Sequence, residues 1–174
     1  MKLQEMTLNK FLEELACRKP VPGGGSVSAL SGALAAGLVS MAAEFSGDSG
    51  TAEKSRRLGR VLISLVDKDA EAFVGGDLRE ATEIPLQTAR YAYEVLKLAR
   101  VLLQDCNPRL ITDIGVAAKV AEAAVEGALL NVRVNLISIE DEEYEKEILK
   151  AAQKLRSAGS RSRAILSQVQ ARLH

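Results

Sequence analysis

The sequence predicts an all-α fold, a bundle of about six helices around a central helix of small residues, and three observations carry that expectation. Apolar residues recur at helical spacing through almost every stretch between a few Pro, Gly and Asn breaks. Hydrophobic residues make up 47% of the 174, yet aromatics only 3% with no Trp, so the core must be built from Ala, Leu, Val and Ile, which favours close helix packing over sheets. The stretch PVPGGGSVSALSGALAAGLVSMAA, residues 20–43, carries no charge and offers a surface smooth enough for other backbones to approach closely. At this length one domain over residues 1–174 is the simplest organisation.

The elements follow in order. Thr7 caps a short first helix whose Leu8, Phe11, Leu12 and Leu15 form an apolar stripe, ended by a loop from Pro20 to Gly25. A second helix runs from Ser26 to Phe45; Ala29, Ala33, Gly37 and Met41 recur every four residues, with Gly32, Ala36 and Ser40 beside them, so it is expected to bury all round. The third spans Thr51 to Val74 and stops at Gly75 and Gly76. The fourth spans Ala81 to Gln104, with Pro85 either in its first turn or kinking it. After the break CNPRL, Thr112 caps a fifth helix reaching Ile139, and a sixth runs from Asp141 to the C-terminus with an interruption near Gly159. Short connections make neighbours antiparallel.

Composition also excludes. The 23 basic and 23 acidic side chains cancel and are interspersed, leaving no electrostatic footprint for nucleic acid. Cys17 and Cys106 have no second Cys or His at ligand spacing and His174 is the last residue, so neither a metal site nor a disulfide framework is indicated, and a reducing, cytoplasmic setting is expected. The charged N-terminus has no apolar core of a secretory signal. The uncharged run is long enough to span a bilayer, but PVPGGG is poor helix material and Ser26, Ser28, Ser31 and Ser40 follow, so no membrane role is expected.

A few residues do not suit a plain bundle. On helix three the stripe Leu58, Val61, Leu62, Leu65, Ala72 and Phe73 has Asp69 in its middle, whereas Asp67 projects to the opposite side with Arg60, Ser64 and Glu71, an ordinary solvated face. An inward carboxylate either pairs with a cation or has its pKa raised toward the range of general acid–base work. On helix five Asp113, Asn131 and Asn135 share one face with very small residues; Asp113 and Asn131 are about 27 Å apart, too far to act on one small group. For the asparagines, interhelical hydrogen bonding and ligand binding are both open. The glycines deliver the chain to a helix N-terminus, as a bare turn or as an amide cradle for a carboxylate or phosphate. They match neither Walker A nor the dinucleotide fingerprint.

PVPGGGSVSALSGALAAGLVSMAA, LVDKDAEAF (65–73), ATEIPLQTA (81–89) and NPRLITDIGVAAKVAEAAVEGALLNVRVNL (107–136) together resemble the formiminotransferase-cyclodeaminase family, in its cyclodeaminase/cyclohydrolase domain. The resemblance covers most of the chain with its blocks in family order. It implies an all-helical, dimeric enzyme of one-carbon tetrahydrofolate derivatives. Such an enzyme closes 5-formiminotetrahydrofolate to the 5,10-methenyl form with loss of ammonia, or interconverts the methenyl and 10-formyl forms. Folate is then substrate, with no metal or other cofactor. The catalytic aspartate carries over to Asp69, with Asp67 as the fallback and Asp113 as a second candidate. Pro22, Gly23, Gly24, Gly25 and Ser26 carry over as folate-binding, and Lys119, Asn131 and Asn135 as further substrate-binding residues, with Lys119 suiting a second wall or a subunit boundary. The chain departs from the family in one place: only VGGDLREATEI separates Phe73 from Pro85, where the family has a longer helical insertion. An inactive binding module of the same fold is the alternative.

Overall fold

Seven α-helices and two 3-10 turns form in the computed structural model, which describes residues 2–173 and shows no strand among them. His174 lies outside the described residues. The helices are α1 (Leu8–Leu15), α2 (Gly24–Phe45), α3 (Ser49–Gly75), α4 (Leu78–Leu102), α5 (Ile111–Leu136), α6 (Glu142–Gln153) and α7 (Ala158–Ala171). Their starts are fixed by short polar side chains that accept from otherwise unpaired first-turn amides: Thr7 from Lys10, Asp48 from Thr51, Asp77 from Arg79 and Glu80, Asp141 from Tyr144. Gly76, at φ 75°, ends α3 in the left-handed conformation that glycine adopts without strain. Only Gly76 and the capping Asp77 separate α3 from α4, so the two helices turn back on each other.

α2 is the centre, packed against α3, α4 and α5. Small residues make this possible. A Cβ on Gly32 would stand 3.0 Å from Leu62, and one on Gly127 of α5 would stand 2.6 Å from Ser28 Oγ, inside any tolerable contact. α2 is long and apolar enough to cross a membrane by length and composition, but 56% of that window is buried against the neighbouring helices. α7 closes the other side of α5.

Several expectations need correction. α2 begins at Gly24, so two of the three glycines form its first turn instead of a loop. It does not bury all round: Leu34, Gly37, Met41 and Phe45 form an exposed line, and α5 adds exposed Val116, Leu130 and Val134, with Ile137 just past its end. Thr112 is not the cap of α5; Asn107 starts a 3-10 turn, Pro108–Leu110, that runs straight into the helix. The interruption expected near Gly159 is present, at Lys154–Ser157, and divides the last segment into α6 and α7. Pro85 lies in the interior of α4, eight residues into it. Asp67 is buried, because the N-terminal turn Leu3–Glu5 folds over that face of α3, while Phe73, placed in the core by its spacing, is 61% exposed.

Candidate active site

Asp69 is brought against the N-terminus of α2. Ser26 Oγ donates to Asp69 Oδ2 at 2.8 Å, with the Val66 carbonyl at 3.2 Å as its other acceptor. A Cβ on Gly25 would stand 1.9 Å from Asp69 Oδ1, so the carboxyl fits only because residue 25 is glycine. The α2 N-terminus, expected to face a ligand's carboxylate, stands against the chain's own Asp69. Burial pushes the Asp69 carboxyl above the ordinary carboxylate range, and the Ser26 hydroxyl and amide offset only part of that rise.

Asp69 opens onto a cavity of about 220 Å³ walled by the α2 N-terminus, the end of α3 and the end of α5. Gly23, Gly24 and Gly25 form one wall; Asn131 and Asn135 form the facing one, with Ala81 of α4 beside them. Each asparagine is held by its nitrogen: Asn131 Nδ2 donates to the Gly127 carbonyl at 2.9 Å, and Asn135 Nδ2 to the Ala81 carbonyl at 2.5 Å. Asn135 thus makes the interhelical hydrogen bond expected of it, Asn131 bonds within its own helix, and both stand on the cavity wall.

Six of the ten site residues expected from sequence thus meet in one cavity: Gly23, Gly24, Gly25, Asp69, Asn131 and Asn135. Ser26 stands behind them, fully buried on Asp69, and Pro22 is buried in the turn that leads into α2. Asp113 does not join them; it sits in the first turn of α5, about 27 Å along the helix from Asn131. Nor does Lys119, which is exposed and paired with Glu122 at 2.8 Å. Phe73 and Val134 at the cavity mouth were missed. Phe73 follows Asp69 by one helical turn, so the signal was there: a residue one turn on shares its face.

Other hollows lack this chemistry. One of about 310 Å³ between α5 and the α6–α7 junction is lined by Glu126, Leu129, Leu130, Arg133, Leu155 and Arg156, with no helix N-terminus on its wall. Among the described residues no three His, Cys, Asp or Glu side chains gather as a metal site.

A family model described as formiminotransferase-cyclodeaminase matches residues 7–75 and 74–154. The chain belongs to the formiminotransferase-cyclodeaminase family. Methenyltetrahydrofolate cyclohydrolase of Methylorubrum extorquens is 32% identical over 203 residues, covering 97% of this chain and 98% of that protein. Formimidoyltransferase-cyclodeaminase of Rattus norvegicus is 29% identical across 98% of this chain, which spans 38% of that longer protein. The crystal structure of formiminotetrahydrofolate cyclodeaminase from Thermotoga maritima superposes with a TM-score of 0.82 at 26% identity, covering 99% of this chain and 98% of that one. The family match breaks and resumes at Val74–Gly75, and the alignment with the M. extorquens relative is longer than this chain. The break falls at the end of α3, where the chain was expected to be shorter than its family.

Proposed function

We propose that the protein is a methenyltetrahydrofolate cyclohydrolase in which Asp69 moves the protons. The observation that carries this is the Asp69 carboxyl, raised above its ordinary range and opening on a polar cavity between the α2 N-terminus and two asparagines. The methenyl carbon is already an electrophile, so the protein's task is to bring water to it and manage its protons. Water oxygen bonds to that carbon while Asp69, as carboxylate, accepts one proton. The C–N5 bond then breaks as Asp69 gives that proton to N5, and the remaining hydroxyl proton leaves to solvent with the 10-formyl group formed.

The Thermotoga maritima likeness favours a second reading at the same site, formiminotetrahydrofolate cyclodeaminase. N10 bonds to the carbon of the protonated formimino group, Asp69 relays the N10 proton to the departing nitrogen, and ammonia leaves the methenyl cation behind. The two reactions exchange a different group at one carbon.

To test the reading, the chain is mixed with methenyltetrahydrofolate and the methenyl absorbance followed, and ammonia release is measured from formiminotetrahydrofolate. The first signal accelerated over buffer supports the hydrolase, and the second alone the deaminase. Neither accelerated overturns both and leaves an inactive binding module of this fold.

The same reading treats residues 1–174 as one domain and the protein as a homodimer in a reducing, cytoplasmic setting, which its free thiols Cys17 and Cys106 fit. The dimer rests on the exposed apolar residues Leu34, Met41 and Phe45 on α2, Val116, Leu130 and Val134 on α5, and Ile137 just past its end. Val134 belongs both to that set and to the cavity mouth, so a second copy there closes over the site. Asp113 and Lys119 are assigned to that subunit boundary. Sedimentation velocity is expected to give a dimer that Leu34→Asp dissociates; a wild-type monomer contradicts the assignment.

A further inference from the structure

Pro85 stands inside α4, where it has no N–H to give the carbonyl four residues back, and its ring crowds that carbonyl off the helix axis. That carbonyl belongs to Ala81. It is not left unpaired: Asn135 Nδ2, reaching across from α5, donates to it at 2.5 Å. The bond fixes which end of the Asn135 amide faces where, because turning the group over would set Oδ1 against the Ala81 carbonyl oxygen. Asn131 is oriented in the same sense by the Gly127 carbonyl. Among the described residues neither Oδ1 has a partner within the protein, and both side chains line the Asp69 cavity.

We propose that Pro85 is a positioning residue: through the Ala81 carbonyl it holds Asn135 with its oxygen toward the cavity, making the Asn131–Asn135 wall an acceptor for the N–H or O–H group exchanged at the one-carbon unit. This rests on the folate reading above and deepens it. Asp69, Asn131 and Asn135 are the polar side chains on the cavity, and each asparagine keeps its Oδ1 and one N–H without a partner in the protein. Attacking water carries two O–H donors and the departing amine carries N–H donors, so either finds acceptors here.

The test uses the full chain and two substitutions. Pro85→Ala restores a helical N–H for Ala81 and frees Asn135 to rotate; Asn135→Leu removes the acceptor. Pro85→Ala is expected to keep or raise the melting temperature while kcat falls about tenfold to a hundredfold and KM stays within about threefold. The double variant is expected to be no slower than Asn135→Leu alone, since both act through one group. With the wild type active, a Pro85→Ala kcat within about twofold, or a loss matched by a fall in melting temperature, or additive losses in the double variant, each overturns the proposal. A wild type active in neither reaction overturns the folate reading instead.

Discussion

Asp67 and Asp69 stand two residues apart on α3, and the helix turns them to different faces with opposite consequences. Asp67 is the deeper, 7% exposed; its Oδ1 accepts the Leu3 amide from the N-terminal turn and its Oδ2 is sealed off without a partner. Asp69 is only partly buried, is held by Ser26, and opens on a cavity. The deeper carboxylate borders an open hollow of about 630 Å³ but spends one oxygen tying the chain's N-terminus down and has the other sealed off, whereas the shallower one combines desolvation with access. Depth of burial alone does not mark a chemical site.

Substitutions can break this comparison. Asp69→Asn keeps the shape and the acceptor for Ser26 but loses the titrating proton, so kcat for methenyl turnover is expected to fall about 10²- to 10⁴-fold. Because the folded-state pKa of Asp69 is raised, its contribution to stability is present at low pH and lost as pH rises through that value. Melting curves against pH should therefore show Asp69→Asn gaining on the wild type over that interval. Gly25→Ala drives a Cβ into the Asp69 carboxyl and is expected to destabilise by about 1–3 kcal/mol in urea titrations, while displacing Asp69 enough to abolish most turnover. Asp67→Ala leaves the Leu3 amide without its acceptor; a loss of about 1–3 kcal/mol is expected, with kcat per folded molecule within about twofold of wild type. Equal kinetic losses at Asp67 and Asp69 would erase the distinction.

Much of the fold was legible because local signals agree with the tertiary ones. α3 was expected over Thr51–Val74 and is Ser49–Gly75, since its apolar stripe and glycine stop are local to the segment. The inward turn of Asp69 was legible for the same reason. Asp67 was not: the face it occupies looks solvated until the turn at Leu3–Glu5, distant in sequence, folds over it. Gly24 and Gly25 read as loop because glycine is a poor helix former, yet the close approach of Asp69 requires a residue without a side chain at Gly25. Small residues on α2 announce close packing but not on how many sides, which is why the exposed line through Leu34 and Phe45 was missed. The shared polarity of Asn131 and Asn135 depends on carbonyls of Gly127 and Ala81, and the second of these lacks its helical N–H because Pro85 lies inside a helix.

The pH profile of kcat/KM for methenyl hydration tests the assignment of Asp69 most directly. As general base the carboxylate is the active form, so the rate is expected to rise with pH through a pKa above the ordinary carboxylate range and then level off. That limb is expected to persist in Asp67→Ala and to vanish in Asp69→Asn. A limb of unchanged midpoint in Asp69→Asn would contradict the account.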